Sequence, residues 1–345
     1  MSHNVTTLVG ERATELSGTR ASDRANMWRR KLAHKLTSRW MLAIAAFLAV
    51  LWIVAGKVQV EQTVLGQVSP VRPGTKTSPI SPSDLITFQE GTLGIVISAP
   101  HGGVVRVPGS KDRVTGTMVR DTNTAQLALL ISQRVTERLG GKPHIVIAHF
   151  SRKDADANRD ASAVPNEAYE NDASKKQYDA YHEALNLSVD LVRHQHGRGI
   201  VIDVHGQARV PGAIVRGTRN GRAVRALVAR CGDAALRGDK SVFGQLASKG
   251  YTVIPEPNDP QGKELFFDGG FITERYGGIH PQGIDAIQME FGRMRIESLE
   301  KTARDTGDAI AEFYLEYYSK NKDSVKPTQG VEVEASDQES TSKAP

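Results

Sequence analysis

The sequence predicts an α/β domain that follows an N-terminal membrane anchor, and three observations support this interpretation. Between residues 91 and 320, short apolar runs alternate with longer stretches of helical periodicity, which is typical of α/β chains. Residues 40–60 form an apolar run in which Lys57 is the only charge. Several predicted strands also end in unusual polar clusters, so we look for the chemistry there.

The N-terminal 60 residues are interpreted as a tether. Residues 1–39 are polar and basic, and residues 40–60 reach the lower part of the length that spans a bilayer. Trp40 and Trp52 suit interfacial positions. Because basic residues precede the run and few follow it, residues 1–39 are predicted to be cytoplasmic and the rest of the chain extracytoplasmic. A cleaved signal peptide is the alternative, but its polar region is usually shorter and the cleavage signal here is poor.

The segments on either side of the predicted domain lack apolar periodicity. Residues 61–90 are rich in Pro, Ser, Thr and Gly, which is typical of a flexible linker, and residues 321–345 are predicted to be a disordered tail. Much of the net charge of +5 sits near the N-terminus, and we expect no nucleic-acid partner. The oligomeric state is left open.

The single cysteine, Cys231, limits the chemistry that the chain can use. It excludes a disulfide within the chain and a cysteine-rich zinc site. A metal ion would therefore have to be held by histidines and carboxylates.

The elements of the domain follow from periodicity and from breaks in it. In the first predicted helix, Leu127, Ile131 and Val135 recur at helical spacing, and Gly140 ends the pattern. The β-branched run at 200–204 is typical of a strand covered on both faces. The predicted strands are 93–99, 144–149, 199–204, 213–216, 252–254 and 285–291, and the predicted helices are 122–139, 166–196, 222–236, 241–249 and 297–318.

Polar clusters follow four of these strands, at SAPHGG (98–103), HFSRKDADANRD (149–160), DVHGQ (203–207) and IQMEFGRMR (287–295). Ligands of open α/β sheets bind at the carboxyl ends of strands. Two imidazoles with a carboxylate and an open position form a common catalytic zinc site, a further Glu can act as general base, and arginines can hold a substrate carboxylate. The residues expected to converge are His101, Arg152, Asn158, Arg159, His205 and Glu290.

The order of the motifs resembles that of a known family. PHGG, RDTNT, RKDADANRD, DVHGQ and IQMEFGR, spread over residues 92–316, are similar to segments of the N-formylglutamate amidohydrolases, whose fold is similar to that of the zinc carboxypeptidases. The resemblance implies a three-layer α/β/α sandwich with a central mixed sheet. It also implies a zinc-dependent hydrolase that cleaves an amide bond next to a carboxylate.

The resemblance also implies roles for individual residues. His101 and His205 match the histidine ligands of the metal, and Glu290 matches the general acid/base. Arg152 matches the arginine that polarises the scissile carbonyl. The pair Asn158 and Arg159 matches the residues that bind the substrate's terminal carboxylate.

The third metal ligand departs from the carboxypeptidase pattern. Those enzymes carry a carboxylate three residues after the first histidine, where this chain has Val104. Asp121 in RDTNT is the expected replacement, with Asp203 and Asp154 as rivals. Asp121 could instead cap the following helix.

Two further expectations concern residues around the site. Tyr276 is predicted to lean over the substrate from a Gly-flanked loop. Glu290 has an alternative interpretation as a structural ion-pair partner of Arg293 or Arg295.

The predicted activity is a membrane-anchored, zinc-dependent amidohydrolase, and the alternative is a non-catalytic receptor that binds a carboxylated ligand in the same pocket. Val104 motivates the alternative. Because the domain is expected to face outward, a peptide, a cell-wall fragment or a γ-glutamyl polymer is a better candidate substrate than formylglutamate.

Overall fold

The computed structural model describes residues 82–319, which contain a mixed sheet of seven strands in the order β1-β3-β2-β4-β7-β5-β6. The parallel strands β3, β2, β4 and β7 form its centre. At one edge β1 runs antiparallel to β3, and at the other β5 and its parallel neighbour β6 run opposite to β7. The strands are β1 Ile86–Gln89, β2 Ile95–Ala99, β3 His144–Ala148, β4 Ile200–Gly206, β5 Ala213–Gly217, β6 Thr252–Ile254 and β7 Asp285–Phe291.

Helices connect the strands and cover both faces of the sheet. The longest, α2 (Asp172–His196), is capped at its N-terminus by Asn171 through hydrogen bonds with Ser174. Short 3-10 helices lie at Pro82–Leu85 and Arg222–Val224. The α-helices are α1 Thr124–Leu139, α2 Asp172–His196, α3 Arg225–Cys231, α4 Ala234–Arg237, α5 Val242–Ser248, α6 Phe271–Arg275, α7 Met294–Glu297 and α8 Leu299–Tyr317.

Two hydrophobic clusters form the core. Successive residues of a strand point to opposite faces, so Ile97 of β2 joins one cluster and Val96 joins the other. The first cluster includes Leu127 of α1 and Phe313 of α8, and the second includes Leu185 of α2. The described domain is therefore layered α/β/α around a mixed sheet, as expected.

Several elements differ from the prediction, and the helix predicted over 166–196 begins at Asp172. Strand β1 lies within the segment predicted as linker, so the folded domain begins before residue 91. The helix predicted over 222–236 is interrupted at Gly232, whose φ of 77° is left-handed and ends α3. Helix α6 occupies part of a Gly-flanked segment that was predicted to be a loop.

The predicted anchor lies outside the described residues, as do the basic segment 1–39, most of the linker and the tail from residue 321. Within residues 82–319, every helix is too short or too polar to span a bilayer.

The connection between β4 and β5, residues 207–212, passes across the end of β7. Gln207 donates its backbone N–H to Phe291, and Arg293 donates to Pro211. The side chain of Gln207 fixes the turn, because its Nε2 donates to Val210 O at 2.7 Å and its Oε1 accepts from Val210 N at 2.8 Å.

Candidate metal centre

The predicted site residues lie where the sheet's parallel strands end. His101 follows β2, His205 is the penultimate residue of β4, and Glu290 of β7 is its register partner. Asp121 precedes α1, and its backbone N–H donates to the carbonyl of His101 at 3.1 Å. Because the strands are parallel and adjacent, their carboxyl ends bring residues far apart in sequence to one place.

His101, Asp121 and His205 form a buried group whose potential ligand atoms all lie within 4.8 Å of one another. The Nδ1 atoms of His101 and His205 face the same Asp121 oxygen, Oδ2, at 3.4 and 3.3 Å. Their ring centroids are 4.8 Å apart. The two histidines, separated by more than a hundred residues, therefore meet around one carboxylate.

A second carboxylate fixes the orientation of each imidazole. His101 Nε2 lies 2.7 Å from Asp156 Oδ1, and His205 Nε2 lies 2.7 Å from Asp203 Oδ2. A proton on Nε2 that is donated to a carboxylate leaves the lone pair of Nδ1 directed into the site. This arrangement of carboxylate, histidine and open nitrogen is the one that orients metal-binding histidines.

These supporting carboxylates are themselves held in place. Asp203 Oδ1 accepts from Ser98 Oγ at 2.6 Å on the neighbouring strand. Asp156 Oδ2 accepts from Arg152 Nε at 2.9 Å, and its Oδ1 accepts from the backbone N–H of Asn158. Both aspartates are fully buried.

Asp121 is held ionised by its neighbours. Burial opposes its charge, but the close contacts with His101 and His205 lower the pKa of Asp121 well below its usual value. Its oxygens also accept from the backbone N–H of Gly206 at 3.1 Å and from Arg152 Nη1 at 3.3 Å. Its side chain faces the histidines and makes no hydrogen bond to the first turn of α1, so helix capping does not explain this aspartate.

Glu290 has one oxygen without a partner. Its Oε1 accepts from Gln288 Nε2 at 3.0 Å, while its buried Oε2 has no hydrogen bond among the described residues. Burial raises the pKa of Glu290. The charges of Asp121 and Asp203 raise it further, whereas those of His205 and His101 lower it. Arg295 donates to backbone oxygens instead, among them those of Phe291 and Gly292, so the structural ion pair considered for Glu290 does not form.

The donor set fits a divalent metal ion. Two imidazole nitrogens and one carboxylate oxygen are ligands that such ions accept, and His101 Nδ1 is a buried nitrogen without a hydrogen bond in the described part of the chain. Burial alone would lower the pKa of His205, but Asp203 and Asp121 raise it well above its usual value. The same carboxylates that favour a proton on His205 also favour a cation in front of its Nδ1.

A cavity of about 380 Å³ opens in front of this group. Glu290 lines it, and so do the arginines Arg120, Arg152, Arg159 and Arg295. The cavity thus places a metal-binding group, a carboxylate with an unpartnered oxygen and several cations around one space.

Solved structures that resemble this chain include an N-formylglutamate amidohydrolase. That protein, from Ralstonia eutropha JMP134, is 19% identical, with coverage of 67% of this chain and 98% of that chain and a TM-score of 0.46. A bacteriophage poly-gamma-glutamate hydrolase is 14% identical, with coverage of 68% and 88% and a TM-score of 0.34. The N-acetylmuramoyl-L-alanine amidase from Clostridium difficile 630 is 14% identical, with coverage of 65% and 95% and a TM-score of 0.27. No family model matches the chain, and no curated protein matches it.

The remaining predicted substrate residues line the cavity but already have partners. Asn158 Oδ1 accepts from Ile272 N at 2.9 Å, and its Nδ2 donates to Gln288 Oε1. Arg159 Nε donates to Glu167 Oε2 at 2.8 Å. Arg152 uses Nε and Nη1 for Asp156, Asp121 and the Val119 carbonyl, so Nη2 remains for a ligand.

Tyr276 does not lie over the site. It follows α6, is buried, and its hydroxyl lies 2.8 Å from Nδ1 of His182, which is also buried. Tyr276 is not among the residues that line the cavity. The prediction was wrong because the flanking glycines suggested a mobile loop, whereas the ring belongs to the aromatic core beneath the sheet.

The two rival ligands have other partners. Asp154 accepts from Arg106 Nε and from the backbone N–H of Val107, both at 2.9 Å. Asp203 supports His205 from the side of the ring opposite Nδ1. Of the three candidates, Asp121 is the one that faces both histidines.

Sequence reasoning missed several residues that shape the site. Asp156 lies in the polar cluster at 149–160 and was given no role of its own. It precedes Asn158 by two residues, just as Asp203 precedes His205 by two residues. Arg113 is fully buried and its Nη1 donates to the backbone oxygen of Arg152 at 2.7 Å. No pattern in the sequence distinguishes Arg113 from the solvated arginines around it.

Two glycines are required by close packing at the site. A Cβ on Gly206 would lie 2.5 Å from Arg295 Nε, and a Cβ on Gly103 would lie 2.2 Å from the backbone oxygen of Phe150. Gly103, two residues after His101, therefore allows a close approach of the protein's own backbone.

Proposed function

We propose that this chain is a zinc-dependent hydrolase of an amide bond adjacent to a carboxylate, with a zinc carboxypeptidase-like fold. The observation that carries the proposal is the convergence of His101, Asp121 and His205 beside the unpartnered Oε2 of Glu290. Zinc held by these three residues would polarise the scissile carbonyl and lower the pKa of a water molecule.

The chain's own residues account for the proton transfers and for substrate binding. Glu290 accepts a proton from the attacking water and transfers it to the leaving nitrogen, for which its raised pKa suits it. Nη2 of Arg152 donates to the oxygen that becomes negative in the transition state.

Arginines at the cavity bind the substrate carboxylate. Arg159 is half-buried and lines the cavity beside Asn158. Arg120 is exposed, lines the same cavity and has no ion-pair partner in the described range. Two guanidinium groups outside the metal-binding group suit a substrate that carries its carboxylate on the far side of the scissile bond.

The proposed extracytoplasmic location of the domain favours some candidate substrates over others. If residues 40–60 anchor the chain and the domain faces outward, a peptide, a cell-wall fragment or a γ-glutamyl polymer is the substrate. A strong preference for N-formylglutamate over all peptides would contradict this part of the proposal.

The test compares the purified full chain with its Glu290→Gln variant. We expect bound zinc in both proteins by elemental analysis and hydrolysis of N-acyl-amino acids or short peptides by the wild type. Loss of the general base should lower kcat by at least about a hundredfold. Glu300→Gln is the matched control, because Glu300 is an exposed glutamate in the first turn of α8.

Equal activity of the wild type and Glu290→Gln would refute the proposed role of Glu290. A wild-type chain that binds a carboxylated ligand tightly but holds no metal would favour the receptor alternative. The receptor alternative was motivated by Val104, which stands where carboxypeptidases carry a carboxylate ligand. Val104 is exposed, and the carboxylate of Asp121 lies beside both histidines instead.

A further inference from the structure

A second cleft lies at the amino ends of β4 and β7, opposite the carboxyl ends where the metal centre lies. It has a volume of about 250 Å³ and is lined by Gly199, which precedes β4, and by Asp285, the first residue of β7. None of its lining residues lines the metal-centre cavity. Four arginines lie in its walls, and we call it the basic cleft: Arg193, Arg198, Arg225 and Arg230.

The lining of the basic cleft contains more arginines than carboxylates. Arg193 pairs with Asp190 at 3.2 Å at the exposed rim. The acidic residue within the lining, Asp285, is buried, and its oxygens accept from Leu227 N and from Tyr318 Oη. Burial raises the pKa of Asp285, against the hydrogen bonds that its carboxyl accepts, and both of its oxygens are already used within the protein.

Two of the arginines form no ion pair within the described residues, although the charge of Arg230 partly offsets the rise in the pKa of Asp285. Arg225 is exposed and makes no side-chain hydrogen bond there. Arg230 donates to the backbone oxygen of Ala226 and stacks over the ring of Tyr318 at 5.2 Å. Like charges that share a small cleft repel one another, and an anion between them would relieve this repulsion.

One wall of the basic cleft is a tightly held loop, residues 277–283. Gly278 N donates to Ala223 O at 2.7 Å, and Ile284 N donates to Tyr276 O at 2.9 Å. A Cβ on Gly283 would lie 2.0 Å from the backbone oxygen of Gly277. The loop is therefore folded closely on itself, and it gives the arginines a fixed surface to face.

We propose that the basic cleft binds a phosphate group. Guanidinium groups match phosphate oxygens in paired hydrogen bonds, and a phosphate carries more negative charge than a single carboxylate. The group could belong to a dissolved phosphorylated compound or to the headgroup of an anionic lipid. Binding of phosphate in the basic cleft is independent of hydrolysis at the metal centre.

The first test measures binding of inorganic pyrophosphate to the full chain by titration calorimetry at low salt. The protein is first treated with EDTA, so that anions bound to a metal ion at the metal centre do not contribute. Arg225→Gln removes a cation that has no structural partner, and we expect it to weaken binding about tenfold. Arg304→Gln is the control, since Arg304 is exposed on α8 outside the basic cleft, and it should bind as the wild type does.

The second test identifies the source of the phosphate. Sedimentation with phosphatidylcholine vesicles, with and without phosphatidylglycerol, compares the wild type and Arg225→Gln. A dependence on both phosphatidylglycerol and Arg225 assigns a lipid headgroup, whereas pyrophosphate binding alone assigns a dissolved compound. The proposal is overturned if the wild type binds neither probe, or if Arg225→Gln and Arg304→Gln weaken binding equally.

Discussion

Asp156 is the residue that best explains how His101 is oriented. It is fully buried, and it connects His101 Nε2 to Arg152 Nε and to the backbone N–H of Asn158. It therefore joins the metal-binding group to residues proposed to contact substrate. Its pKa lies well below its usual value: burial opposes the charge, but His101 and Arg152 favour it more strongly.

Asp156→Asn should weaken metal binding without removing a ligand. The amide can no longer accept a charge-assisted hydrogen bond from His101 Nε2–H, and loss of such a partner typically costs about 10–100-fold in metal affinity. Competition with a chromogenic chelator measures the affinity. Asp160→Asn is the matched control, because Asp160 is exposed and bonds to Ser162; equal affinities in the two variants would contradict the role of Asp156.

Elements were predictable where the pattern was strong and local. The runs that end at Ala99 and Ala148 are buried at every position and almost entirely apolar, so their composition alone marks them as strands. Strand β1 escaped prediction because its four residues are partly buried or exposed and adjoin a Ser/Pro-rich segment. Its strand conformation depends on pairing with β3, which no local pattern reveals.

The site was predictable to the extent that strand ends converge. His101, His205 and Glu290 follow or end buried strands, so the architecture of an α/β sheet brings them together. Asp121 follows no strand, and it was recognised only through a motif. The partners of the imidazoles and the buried position of Tyr276 depend on tertiary contacts, which periodicity does not record.

The N-terminus of α2 offers a test of stability at the scale of one element. Asn171 Oδ1 accepts from Ser174 N at 3.2 Å and from Ser174 Oγ at 2.9 Å. Asn171→Ala removes this cap and should lower the free energy of unfolding by about 1 kcal/mol. Urea denaturation measures the change, and Lys176→Ala, at an exposed position of the same helix, should change stability much less.

At the scale of the molecule, the metal-binding group links segments that lie far apart in sequence. His101 follows β2, Asp121 precedes α1 and His205 belongs to β4, so an ion bound to all three would bind the folded chain in preference to the unfolded chain. Such binding stabilises the fold by mass action.

Zinc should therefore raise the melting temperature of the EDTA-treated chain. At about a hundred times its dissociation constant the gain is about 2.7 kcal/mol, which corresponds to roughly 5–10 °C for a domain of this size. Differential scanning calorimetry measures the shift. His205→Asn should abolish the shift and Glu300→Gln should retain it; an equal shift in both variants would show that zinc stabilises the protein elsewhere.

The short span from β4 to β5 has a consequence for redesign. Gln207 and Ala208 line the metal-centre cavity, whereas the turn that follows is closed by its own hydrogen bonds to Gln207. Because β5 pairs with β7 and not with β4, extra residues inserted after Ala208 would leave the strand pairing unchanged, although they would separate Gln207 from Val210 and replace the hydrogen bonds that close the turn. This span is thus a natural position at which to graft longer loops and select for new substrate preferences.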